Sequence, residues 1–353
     1  MNSLERVTAA MKHEDLDRVP AYPLINSISR LYTGASYAAW SRDVDVCAES
    51  IIKATRDIDV DVVCSIQDLS VEAADWGQKI IYPEDEAAHP DHHDRLIKDI
   101  DEYKNIEPID PRKGERMGKH IQLCDRLCRE FAKDYPIVAF VFAPLGVLSM
   151  MRGQADMFMD CYDDPDAMHP ALDAITETIS DYCEALIETG AHAVMLDTLF
   201  ASQSIMSKDM WEDMESRYVK RICDRIRKCG AMPMLHNCGK GTYFDVQIEY
   251  MEPAAISFLY PPDDCKDFAG TKAKYGDKSL LIGAVTPSWV MSVPKEEVLR
   301  ECRDEIYAMA EGGGFVLATG CEYPSNGSIE NAKAMVEAAK TYGRYGPGNK
   351  LIK

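Results

Sequence analysis

The sequence predicts an α/β protein folded as a single (β/α)8 TIM barrel, with helical additions at the amino terminus and an insertion near 67–135. Three observations point there. Eight short apolar runs recur along the chain. Most are continuously apolar rather than alternating, the pattern of parallel strands buried on both faces. Segments of helical periodicity separate them, and eight strand–helix units with short connections suggest a closed barrel. A length of 353 residues allows two average domains or one large barrel. No repeat, low-complexity tract or linker asks for a second domain, so 1–353 reads as one.

The strand candidates, in order, are VPAYPLI (19–25), VDVVCSI (60–66), PIVAFVF (136–142), AHAVMLD (191–197), AMPMLHN (231–237), AAISFL (254–259), SLLIGAV (279–285) and GFVLATG (314–320). Residues 164–190 read as a helix, with an acidic first turn and a closing glycine. Residues 207–230 start on a serine, carry basic residues in their last turns and stop on a glycine. Segments 293–314 and 328–343 follow the same logic. Residues 67–135, with the HPDHHD cluster (89–94) and a helix near 113–133, fit the repeat less well and read as an excursion. HPDHHD has a metal-site composition but sits in a polar, surface-like loop, so solvation is the expectation. The tail 345–353 is expected to fray.

Composition bounds the function. A hydrophobic content of 46% supplies a sizeable core. The net charge of −20 argues against nucleic acid and against an anionic membrane surface, since neither would be neutralised. The opening MNSLERVTAAMKHED alternates charges where a signal peptide needs an apolar core. No run approaches the roughly 18 apolar residues of a membrane span. Twelve cysteines, scattered and without a secretory leader, read as free thiols in a reduced cytoplasmic protein.

PMLHNCGKG (233–241) places His236 and Cys238 where a strand stops. Residues two apart in an extended backbone point the same way. The last strand ends with the same syntax at Cys321, in TGCEYP (319–324). The carboxyl ends of barrel strands converge on one rim, so the three residues can meet. Two thiolates and an imidazole suit tetrahedral zinc with an open fourth position. The same residues also read as buried apolar cysteines and a hydrogen-bonded core histidine.

Here the chain resembles the uroporphyrinogen decarboxylase superfamily and, within it, the zinc-dependent, corrinoid-linked methyltransferases. ERVTAAMKHEDLDRVPAYP (5–23) resembles the family's opening helix and first strand, and FAPLGVLSMMRG (142–153) its Gly-Pro-Phe-type loop and helix. AHAVMLDTLFASQSIMSKDMW (191–211) resembles its strand, acidic residue and helix start. LHNCGKG matches the H-x-C zinc motif, and TGCEYPSNGSIENAKAMVEAA (319–339) resembles the distal zinc cysteine with its helix. The resemblance implies that His236, Cys238 and Cys321 are zinc ligands. It also places an aspartate at the rim position of Asp68.

Two departures narrow the choice. Porphyrinogen decarboxylases carry an arginine-bearing segment after the first strand, whereas PLINSISRLYTG (23–34) offers only Arg30. A polycarboxylate needs several cationic partners, so decarboxylation is the distant alternative. GAVTP (283–287) has Thr286 where the family often has an acid. The expected reaction is transfer of methyl from a small donor, a methoxylated aromatic, to the cobalt of a corrinoid protein. The GCEYP wording around Cys321 resembles the donor-side enzymes. The alternative is transfer from methylcorrinoid to a thiol, toward which two cysteine ligands lean. This chain has no D-x-H-x-x-G cobalamin motif, so the corrinoid is expected on a separate, transiently docked partner.

Other candidates follow. Asp68 could bond a substrate hydroxyl or protonate a leaving oxygen, or cap a turn. Asp197 could face the substrate or orient His236. Glu322 is a candidate ligand or proton carrier. Met150 and Met151, with Phe142 and Tyr260, are candidates for an apolar ring pocket, though methionines at such spacing also read as core.

Overall fold

All eight apolar runs become strands of one parallel sheet in the computed structural model, which describes residues 1–353. They are β1 (Ala21–Tyr22), β2 (Val63–Ser65), β3 (Ile137–Phe142), β4 (Ala193–Asp197), β5 (Met232–Asn237), β6 (Ala255–Phe258), β7 (Leu280–Val285) and β8 (Phe315–Thr319). From β2 to β8 each pairs with the next in chain order, and β8 pairs back onto β1. Only β1 and β2 share no ladder. Their seam is bridged by Asp61, whose N–H donates to the Ala21 carbonyl at 2.8 Å. Its carboxylate accepts from Ala21 N–H at 2.7 Å and pairs with Arg6 and Arg18.

Register decides which side chains enter the barrel. Phe142 pairs with Asp197, Asp197 with His236, His236 with Ser257, and Ser257 with Ile282. Ile282 pairs with Val316, and two residues further on Ala284 pairs with Ala318 and Ala318 with Tyr22. Since strand side chains alternate, all of these share the inner face. At the amino-terminal end that face is apolar, with Val62, Val138, Met234, Leu280 and Val316 around one cavity. Val7 and Met11 of the helix Ser3–Lys12 line its floor.

The helices begin and end close to the expected positions. Pro165–Glu188 opens on Asp164, whose side chain accepts from Ala167 N–H, and Ile329–Tyr342 opens on Ser328 in the same way. Segment 207–230 is interrupted: Lys208–Trp211 and Arg217–Lys228 flank a π-helical turn, Glu212–Ser216. The stretch 67–135 is a true excursion between β2 and β3. It holds the short helix Val71–Asp75, a two-stranded pair of Ile80–Ile81 with His89–Pro90, and the helix Glu115–Phe131. HPDHHD therefore begins in a strand rather than a loop. Its Asp91 is paired with Lys79, and His89 stacks on His92.

The tail corrects the expectation of fraying. Tyr345–Gly346 and Lys350–Leu351 form an antiparallel pair. The Tyr345 hydroxyl donates to the Ala310 carbonyl at 2.6 Å, and Asn349 exchanges hydrogen bonds with Leu16 N–H and the Glu14 carbonyl. Its terminal position suggested fraying, but hydrogen bonds to Ala310, Leu16 and Glu14 hold it. All twelve cysteines are free thiols, and no helix is long and apolar enough to cross a membrane.

Candidate metal centre

The end of β5 and two loops at the carboxyl rim build the site. After β5 the Asn237 side chain folds the turn. Its Nδ2 donates to the carbonyls of Thr198, at 2.7 Å, and Ala201, while its Oδ1 accepts from Gly239 N–H at 2.8 Å. A Cβ on Gly239 would overlap the Ser202 side chain, so only glycine passes there. Cys238 is thereby held one residue beyond the strand. After β8, Gly320 N–H donates to the Val285 carbonyl at 2.9 Å and Tyr323 N–H to the Leu24 carbonyl at 3.1 Å. Gly320 lies against Leu259 too closely for any side chain. These contacts place Cys321.

The ligand atoms of His236, Cys238 and Cys321 lie within 4.8 Å of one another. Nδ1 of His236 lies 3.0 Å from the Ser257 hydroxyl, which fixes the ring and leaves Nε2 for the thiols. Sequence reasoning offered Asp197 as the orienting group; the structure gives that contact to Ser257. Burial alone would lower the imidazole pKa, but Cys321 and Asp197 outweigh it and hold it above the usual value. The hydrogen bond from Cys321 eases Cys238 toward thiolate and pushes Cys321 up. The opposed shifts mark two thiols crowded around a common point.

The residues present fit zinc. One imidazole and two thiols are its preferred donors, and their mutual separation is compatible with bonds of about 2.0–2.3 Å to a shared ion. A second sign is Asp197. It ends β4 beside His236, is 7% exposed, and its Oδ1 has no hydrogen-bond partner. Burial pushes its carboxyl up to about 6.

Glu322 follows Cys321 and accepts from Ser27 N–H at 2.8 Å. Burial raises its pKa, and Asp68 adds to that. Asp68 is fully engaged: Oδ1 accepts from Ser70 N–H at 2.8 Å, while Oδ2 accepts from the Ser41 hydroxyl at 2.6 Å and pairs with Arg116. The turn-capping and ion-pairing roles therefore coincide in one residue. Arg116, from the helix Glu115–Phe131, went unrecognised because its neighbours look like an ordinary charged helix face. Met151 is fully buried in the core and Met150 packs against that core from a partly buried position. Tyr260 is 38% exposed, at the loop after β6. Phe140 is the aromatic ring beside these candidate ligands, its centroid 5.9 Å from that of His236.

Comparison with known proteins places this geometry in a wider set. A curated relative, the methylcobamide:CoM methyltransferase of Methanosarcina barkeri, is 24% identical over 67% of this chain and 67% of its own. The methylated-thiol–coenzyme M methyltransferase of Methanosarcina mazei is 24% identical over 96% of this chain and 89% of its own. The uroporphyrinogen decarboxylase of Psychromonas ingrahamii is 22% identical over 95% and 96%. Among solved structures, a methyltransferase from Methanosarcina mazei superposes with a TM-score of 0.83 over 96% of this chain and 98% of that one, at 20% identity, and so shares the fold. The family model for uroporphyrinogen decarboxylase (URO-D) matches residues 2–342, and the chain belongs to that family.

Proposed function

We propose that the protein is a zinc-dependent methyltransferase that moves a methyl group from a small methyl donor, a methoxylated aromatic, to the cobalt of a separate corrinoid protein. The convergence of His236, Cys238 and Cys321 at the open rim carries this reading. Zinc, when bound, supplies a Lewis acid that stabilises charge on the oxygen the methyl group leaves behind.

The chain's own residues do the rest. His236 and the two thiols hold the ion, and Ser257 keeps the imidazole in one orientation. Asp197 and Glu322 adjoin the ligands, and burial favours the protonated form of each. Either can retain a proton closer to neutral pH than an exposed carboxyl and deliver it to the departing oxygen. Asp68 acts by position, since its oxygens are occupied; it fixes the loop after β2 through Arg116 and Ser41. The buried guanidiniums nearby are engaged as well, Arg116 with Asp68 and Arg30 with Asn326 and the Ala35 carbonyl. Each keeps only its Nε without a partner, fewer free donors than a polycarboxylate calls for, whereas a neutral aryl ether needs none.

Cobalt sits in a bulky macrocycle that cannot pass between strands, so the corrinoid protein approaches the rim, where Lys240 is exposed. The contact is transient because the cobalt must visit a second acceptor. A second reading, methyl transfer from methylcorrinoid to a thiol, is favoured by the two cysteine ligands, which weaken Lewis acidity, and by the names of the two Methanosarcina relatives. The test offers reduced corrinoid protein with a panel of methoxylated aromatics, and methylcorrinoid with small thiols. Methylation of cobalt by an aryl ether, seen in its visible absorbance, is the expected result. Turnover of thiols alone would replace the first reading with the second.

A further inference from the structure

Tyr22 is a second unpartnered polar group on the inner wall. It ends β1, and its pairing with Ala318 puts it on the face shared by His236, Ser257 and Asp197. The side chain is 1% exposed, yet its hydroxyl makes no hydrogen bond. The Cys64 thiol lies against the hydroxyl as a weak, poorly aligned partner, and the Glu322 carboxyl is also near. Burial, first, and then these two groups push the phenol well above its ordinary pKa, so it stays a donor.

Its depth matters. Ala318 precedes Cys321 by three residues on the same wall, so Tyr22, its ladder partner, springs from a point below Cys321. A buried hydroxyl without a partner costs stability in the free protein. That cost is relieved when a ligand supplies an acceptor.

We propose that Tyr22 is a specificity-determining residue whose hydroxyl donates a hydrogen bond to a second oxygen of the substrate, remote from the methyl group that moves. Resting on the methyl-transfer reading, this narrows the substrate class to neutral molecules with two polar functions, one at the rim and one deeper in the barrel. For aryl ethers these are methoxyphenols rather than methoxybenzene.

The experiment compares wild type with Tyr22→Phe, using matched substrates in both transfer directions: the three methoxyphenols against methoxybenzene, and 2-mercaptoethanol against ethanethiol. Dissociation constants and kcat/KM are read together with zinc content and Tm. In whichever direction the wild type works, the oxygen-bearing member should lose about tenfold in the variant. Its partner should be unchanged, and zinc content should stay at the wild-type level. Without substrate, the variant should melt at the same temperature or higher, because only a weak contact with the Cys64 thiol is lost. Equal loss with both members, or a clearly lowered Tm, would overturn the assignment and make the hydroxyl structural. Activity confined to the thiols would instead reject the aryl-ether reading, while Tyr22 is still judged by the thiol pair.

Discussion

The two ends of the barrel are cut from the same eight strands but obey opposite rules. At the amino-terminal end, Val62, Val138, Met234, Leu280 and Val316 fill the interior with methyl groups, and helix Ser3–Lys12 closes the floor. At the carboxyl end the same inner face carries Tyr22, Asp197, His236 and Ser257, and the loops add Cys238, Cys321 and Glu322. Two of those groups, Tyr22 and Asp197, have atoms with no partner. The apolar end gains stability from every buried methylene. The polar end forgoes some of it to keep groups ready for a ligand. The division matches the general separation in such barrels between a stabilising and a reactive face.

Exchanging the consequences of damage at each end tests that division most directly. Cys321→Ala should abolish methyl transfer, by about a thousandfold or more, and release zinc, with little change in Tm because a barrel this large does not need the ion to fold. Leu280→Ala, at the other end, should lower stability by about 2–5 kcal/mol. The molecules that remain folded should keep their zinc and turnover. Metal analysis, calorimetry and rates measured on the same samples decide; comparable losses of stability from both variants would erase the distinction.

A smaller effect is expected one contact out from the metal. Ser257→Ala removes the partner of His236 Nδ1. Zinc affinity should fall about 10–100-fold, the usual cost of freeing a ligating imidazole. Competition with a chelator measures it, and an unaltered affinity would mean that the ring is held by packing alone.

The smallest effect concerns buried carboxyls behind the wall. Glu305 accepts from Ala284 N–H at 2.9 Å, and burial pushes it up to about 8. A carboxyl raised in the folded state lends stability that is fully present below its unfolded pKa of roughly 4.5 and is lost as pH rises through about 8. Glu305→Gln keeps an acceptor but cannot ionise. It should match wild type near pH 5 and melt a few degrees higher at pH 8.5, which a series of thermal melts will reveal.

How much of this was legible in the sequence differs between the same two ends. The apolar runs located all eight strands, because parallel strands buried on both faces leave a pattern that needs no tertiary knowledge. The cluster of candidate ligands was visible through a repeated syntax, a strand ending in His236 and Cys238 and another meeting Cys321. Ser257 left a trace, a lone hydroxyl inside AAISFL, but one serine in an apolar run has many explanations. Glu72, Glu215 and Glu305 left none. Each sits in a helical or π-helical segment among other charges, and only the fold shows that it reaches a backbone N–H of Phe142, Leu145 or Ala284. Arg116 was hidden in the same way. The tail misled because a place at the chain end does not reveal a partner hundreds of residues away.

The pairing of β1 with β8 has a consequence for how the molecule comes into being. During translation Ala21 and Tyr22 emerge early, while their partners Leu317 and Ala318 follow only after roughly 15–60 s at typical elongation rates. Through that interval the first strand lacks one of its neighbours, with the inner wall open and Tyr22 and Cys64 in water. Closure of the ring is therefore one of the last steps of biogenesis, and with it the arrival of Cys321 beside His236 and Cys238. Until then the nascent chain holds only two of the three candidate ligands, so on the proposed reading a metal could find the complete site only once the ring has shut.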